Sequence, residues 1–92
     1  MKVKLFATLR LRVGAPEVDV SAGPGDSVGK VLAELVEKYP ALKDEIFKED
    51  GSLQDRVHVF LNGRDVRYLS GLETIIQEGQ DLRIFPPVGG GK

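Results

Sequence analysis

Val28, Val31, Leu32, Leu35, Val36 and Tyr39 fall at i, i+3, i+4, i+7, i+8 and i+11, a single apolar stripe along one side of a helix. Lys30, Glu34, Glu37 and Lys38 fall largely outside it. This is the one long helical pattern in 92 residues, so the rest of the chain has to supply the surface that covers it. Asp26 or Ser27 caps the helix by offering a side-chain oxygen to its free N–H groups, and Pro40 stops it.

The covering surface is read from alternation. From Lys2 to Leu9, Val3, Leu5 and Ala7 point one way and Lys2, Lys4, Phe6 and Thr8 the other, which predicts a strand with one buried face. Gly14-Ala15-Pro16 breaks it, and Glu17-Val18-Asp19-Val20 reads as its hairpin partner, ended by Gly23-Pro24-Gly25. After the helix, Leu42, Ile46 and Phe47 suggest a short helical turn, and Val57 to Leu61 a strand. Asn62-Gly63 is the strongest turn signal in the chain, since both residues tolerate positive φ. Asp65 to Tyr68 reads as a short strand, and Leu72, Ile75 and Ile76 as a brief helical turn under the sheet. Asp81 to Phe85 is the last strand, ended by Pro86-Pro87 because proline cannot donate to a ladder. Hairpin, long helix, then strands gives a two-layer α+β domain whose first and last strands are candidates for its centre.

Composition narrows the function. Cysteine is absent, which removes disulfides, thiolate nucleophiles and Cys-based zinc sites. The single histidine, His58, points away from a core made by Val57, Val59 and Leu61, and no nucleophile or orienting group stands near it in sequence. The carboxylates read as a solvated surface. Gly23-Pro24-Gly25-Asp26-Ser27 lacks the ending and spacing of a phosphate loop. A formal net charge of −1 argues against a nucleic-acid partner. No long apolar run or targeting signal stands in the sequence, so no membrane partner is expected and the cytoplasm is the expected compartment.

Two features remain. The last strand runs into Phe85-Pro86-Pro87-Val88 and then loses every side chain at Gly89-Gly90-Gly91. Such a run is either a frayed end or a tail able to thread a narrow channel and bring a backbone carbonyl to another protein's catalytic groups. The prolines stiffen its base. The second feature is the sheet face away from the helix. Where Val3 and Leu5, Val59 and Leu61, and Leu82 and Ile84 are buried, Phe6, Phe60 and Phe85 are not, so three of the four phenylalanines land on one outer face. A contiguous exposed aromatic patch marks a partner surface.

Lys4-Leu5-Phe6-Ala7, Asn62-Gly63, Glu78-Gly79-Gln80-Asp81 and, most specifically, Phe85-Pro86-Pro87-Val88-Gly89-Gly90-Gly91 resemble the MoaD/ThiS family of ubiquitin-like sulfur carriers, most of all the small subunit of molybdopterin synthase. The resemblance covers nearly the whole chain. It implies a β-grasp fold, with residues 1–88 as the domain and residues 89–92 as a flexible glycine-rich tail.

It also implies a mechanism. An activating enzyme uses ATP to adenylate the carboxylate of the last glycine, and the acyl-adenylate becomes a thiocarboxylate that donates sulfur. The carrier binds no cofactor and is a non-catalytic, sulfur-donating subunit. By position, Gly90 and Gly91 match the family's terminal pair, with Gly91 bearing the thiocarboxylate. Phe6, Phe60, Phe85, Pro86, Pro87, Val88 and Gly89 are then the partner-binding residues. The implied partners are the adenylating enzyme and the large subunit of molybdopterin synthase. The chain departs from the pattern at Lys92, which follows the second glycine of the pair. A processing peptidase that removes Lys92, an added residue, or loss of carrier function would each account for it, and processing is the favoured reading. Sulfur delivery for tRNA thiolation or cysteine synthesis and ubiquitin-like conjugation are alternatives. The segment from Asp65 to Leu72 also resembles carriers of the cysteine pathway. A β-grasp interaction domain with an incidental tail is the alternative of another class.

Overall fold

The computed structural model describes residues 1–87. The chain forms β1 (Lys2–Leu5), α1 (Ala7–Val13), β2 (Glu17–Asp19), α2 (Val28–Lys38), α3 (Lys43–Ile46), β3 (His58–Leu61), β4 (Arg64–Asp65) and β5 (Leu82–Phe85). Short 3-10 turns occupy Pro40–Leu42, Val66–Tyr68 and Gly71–Glu73. The strands make one sheet in the order β2-β1-β5-β3-β4. The first and last strands pair in parallel at its centre, Leu5 opposite Ile84, and the other pairs are antiparallel.

The stripe on α2 is used as its spacing predicts. Val28, Val31, Leu32 and Leu35 are fully buried and join Val3, Leu5, Val59, Leu61, Leu82 and Ile84 in one core, while Val36 and Tyr39 pack at its margin. Each such side chain contributes about 1.5–3 kcal/mol on full burial, so this face holds the two layers together. Ser27 is the cap: its hydroxyl accepts from the Lys30 amide at 3.1 Å. Asp26 turns back and accepts from the Gly23 amide at 3.0 Å. Helix on one side and mixed sheet on the other is the β-grasp arrangement.

The N-terminal strand is shorter than its alternation suggests. β1 ends at Leu5, and Ala7 takes a φ of +52°, the left-handed region, which turns the chain into α1. Ala7 is exposed rather than buried. Leu9 reaches the core from a helix, with Val13 one turn on packed at its edge, and Gly14 at φ +84° closes α1 by donating to the Arg10 carbonyl. Two later segments also differ. Asp65 to Tyr68 is not a strand, since the ladder stops at Asp65 and Val66–Tyr68 coils into a 3-10 turn that buries Val66. The helical turn near Leu72 covers only Gly71–Glu73, after which the chain is extended; Ile76 is buried and Ile75 is 50% exposed. The Asn62-Gly63 turn forms as read, with φ of +51° and +86°, joining β3 to β4.

Candidate functional site

Three strands deliver the aromatic face. Phe6 directly follows β1, Phe60 lies in β3 and Phe85 ends β5. Each is half-buried, on the opposite parity from the core residues beside it. The rings of Phe6 and Phe85 stack with centroids 4.3 Å apart and planes 13° apart. Phe60 meets Phe85 edge-on, 5.4 Å away at 83°. Phe85 is thus the hub of one cluster that the alternation had pointed to. The edge-on arrangement of Phe60 on Phe85 is one that aromatic rings favour over a face-to-face sandwich. Beside the cluster lies a shallow cavity of about 380 Å³ lined by Phe60, Gly63, Asp81, Arg83 and Phe85. Arg83 Nε donates to Asp81 at 2.7 Å, and this bond holds the Asp81 carboxyl below the ordinary range.

His58 has an orienting partner, contrary to the reading from its sequence neighbours. Its Nδ1 lies 3.0 Å from Asp65 Oδ2. The Asn62-Gly63 turn sets this up: it pairs Phe60 with Asp65, which makes Asp65 the diagonal neighbour of His58 on the same face. Burial pushes the Asp65 carboxyl up, but the bonds from His58 and from the Arg67 amide outweigh it, and the net direction is down. Hairpin register was the signal that could have found this pair. Glu34 likewise is not simply solvated. It accepts from the Ser21 amide, from the Ser21 hydroxyl at 2.8 Å and from the Ala22 amide at 3.0 Å, tying α2 to the segment after β2.

The strand that carries Phe85 leads straight to the tail. Pro86 is buried and Pro87 exposed, so of the two prolines only Pro87 is open to a partner. Pro87 borders a second cavity, of about 440 Å³, with Asp44, Glu45, Gln54, Asp55 and Arg56. Val88, Gly89, Gly90, Gly91 and Lys92 lie outside the described residues. Among the described residues no helix is long and apolar enough to cross a membrane.

This chain matches the ThiS family over residues 3–91. It is 35% identical to small archaeal modifier protein 3 of Haloferax volcanii, covering 99% of this chain and 98% of the relative. It is 33% identical to the sulfur carrier protein CysO of Mycobacterium tuberculosis, over 97% of this chain and 96% of the relative. It is 32% identical to the molybdopterin synthase sulfur carrier subunit of Arabidopsis thaliana, over 99% of this chain and 82% of the relative. The crystal structure of SAMP1 from Haloferax volcanii superposes with a TM-score of 0.83 at 37% identity, covering 98% of this chain and 97% of that one. The family match spans residues 3–91 and the described fold is shared with SAMP1, and the chain belongs to the ThiS/MoaD family of ubiquitin-like sulfur carriers.

Proposed function

We propose that the carboxylate of Gly91 is the reactive group of this protein. In this reading a carboxylate oxygen attacks the α-phosphorus of ATP on an activating enzyme, and pyrophosphate leaves. Hydrosulfide from a sulfur source then attacks the acyl carbon: a C–S bond forms, the C–O bond to AMP breaks, AMP leaves, and the glycine carries a thiocarboxylate. Gly89, Gly90 and Gly91 lack side chains, so they fit a channel that any Cβ would obstruct. The exposed Pro87 stands before its entrance, while buried Pro86 holds the end of β5 to the body. A residue after Gly91 moves the carboxylate off the glycine, so removal of Lys92 by a peptidase precedes activation.

The observation that carries this reading is the cluster of Phe6, Phe60 and Phe85 at the root of the glycine run. Ordering a tail costs about 1–2 kcal/mol per residue, so a docking surface is needed to offset it. Such a surface serves both the activating enzyme and the acceptor. The acceptor we test first is the large subunit of molybdopterin synthase, the partner that the Phe-Pro-Pro-Val ending suggests. A second reading, protein modification or sulfur delivery to cysteine synthesis, is favoured by the identities of 35% and 33% to small archaeal modifier protein 3 and CysO.

Intact mass tests the chemistry. A chain ending at Gly91, incubated with its activating enzyme, ATP and a sulfur source, gains the mass of one sulfur in exchange for one oxygen. An unchanged mass with a competent enzyme leaves the interaction-domain reading instead. Incubating the thiocarboxylate with the synthase large subunit or with cell protein then separates sulfur donation from an amide adduct.

A further inference from the structure

The outer face carries one open polar ring among its phenylalanines. His58 lies 6.1 Å from Phe60 and stands opposite Phe85 in strand register, so a body that covers Phe60 and Phe85 covers His58 too. Asp65 behind it is already committed on both oxygens: Oδ2 to His58 at 3.0 Å, Oδ1 to the Arg67 amide at 2.9 Å. The Asp65 side chain is 10% exposed, the His58 side chain 50%. A carboxylate on Nδ1 makes that nitrogen the donor and leaves Nε2 as the position facing outward.

Resting on the docking reading above, we propose that His58 is the polar recognition point of the aromatic face, held as an imidazolium between Asp65 and a carbonyl or carboxylate of the docked activating enzyme. The reason is what covering the face does to charge. With a neutral imidazole, docking takes the already largely buried Asp65 carboxylate further from bulk water and gives it no countercharge, while Nε2 offers only a lone pair. With a protonated imidazole the pair is neutral overall, and Nε2–H donates to the partner. The proton comes from solvent, so docking takes up one proton wherever free His58 is neutral. Of the other cations nearby, two are engaged elsewhere and two face solvent. Arg67 donates to the Val57 and Gln54 carbonyls, and Arg83 on β5 to Asp81. Arg64, next to Asp65 on β4, is exposed, and Arg56 lies before β3 in the loop. Phe60 and Phe85 give affinity without direction; His58 sets the register of the partner on them.

The test uses the chain ending at Gly91 as wild type, His58→Gln and His58→Phe, titrated against its activating enzyme in ATP–pyrophosphate exchange. Taking the variant-to-wild-type ratio of KM at each pH cancels the enzyme's own titration. The expected ratio is about tenfold near pH 6 and falls toward one near pH 8, with kcat unchanged. Calorimetry in buffers of different ionisation enthalpy should count proton uptake near neutral pH for wild type and none for either variant. Urea melts check that the variants fold; His58→Phe carries the comparison if His58→Gln does not. A ratio that does not move with pH, or docking without proton uptake, overturns the role of His58 while leaving the carrier reading intact. Absence of exchange by the wild type overturns the carrier reading, and this inference with it.

Discussion

Replacing Phe85 by alanine separates a docking surface from a piece of core. Phe85 is half-buried, stacked on Phe6 at 4.3 Å and met edge-on by Phe60 at 5.4 Å. Aromatic pairs of this kind contribute about 0.5–1.5 kcal/mol each, and the lower half of that range applies to rings that remain partly wet. Phe85→Ala should therefore lower unfolding free energy by about 1–2 kcal/mol, against about 3–5 kcal/mol for a fully buried phenylalanine. On docking, the same ring becomes the centre of an interface beside the tail, and its loss should weaken binding to the activating enzyme by about 2 kcal/mol, or ~30-fold. Urea melts give the first quantity and titration calorimetry the second. A melt that loses about 3 kcal/mol or more while affinity per folded molecule is unchanged would show Phe85 acting as core rather than as a docking surface.

Three further outcomes are expected. A chain ending at Gly91 should support ATP–pyrophosphate exchange and one carrying Lys92 should not; equal exchange by both removes the need for processing. In the Gly91-ending chain, Gly90→Val should leave the melting curve in place and cut sulfur transfer by a large factor, and a transfer rate close to the parent's would count against a threaded tail. Glu34→Gln tests acid lability: bonds from the Ser21 amide and hydroxyl and from Ala22 hold the Glu34 carboxyl below its ordinary range. A depressed carboxyl contributes stability above its unfolded-state pKa and loses it as pH falls through the folded one. The stability gap between wild type and Glu34→Gln should accordingly be widest at neutral pH and close on acidification, as urea midpoints from neutral to acid pH would show.

What the sequence makes legible here is what periodicity controls. The stripe from Val28 to Leu35 and the alternation in β3 and β5 assign faces correctly, and through them the placement of Phe60 and Phe85. Alternation misleads where a different conformation produces the same pattern. Leu9 is buried as a continued strand would have it, yet it arrives on α1, because the chain reverses at Ala7 rather than running straight. The cues for that helix were Leu9 and Val13 four apart with Gly14 behind them. Pairs formed across a turn were harder to see than faces. His58 and Asp65 are seven residues apart and meet only because Asn62-Gly63 fixes a two-residue hairpin. Burial at the tail's root was also not legible, since two adjacent prolines differ in it and their sequence does not.

The co-location of cluster and tail follows from one topological choice, the parallel pairing of β1 with β5. Parallel strands end on the same side of a sheet, so the residue after β1, Phe6, and the last residue of β5, Phe85, emerge together. The antiparallel β3 completes the set by starting where β5 ends, with His58 opposite Phe85 and Phe60 two residues further in. Had β1 and β5 been antiparallel, Phe6 would lie at the far end from Phe85 and no stack would form. Because β5 is an inner strand, with β1 on one side and β3 on the other, the chain leaves toward the glycine run from the middle of the sheet, with aromatic side chains on both flanks of its root. On the proposed reading, a partner would hold the root of the tail from both sides, Phe6 on one flank and Phe60 and His58 on the other, which an edge strand could not offer.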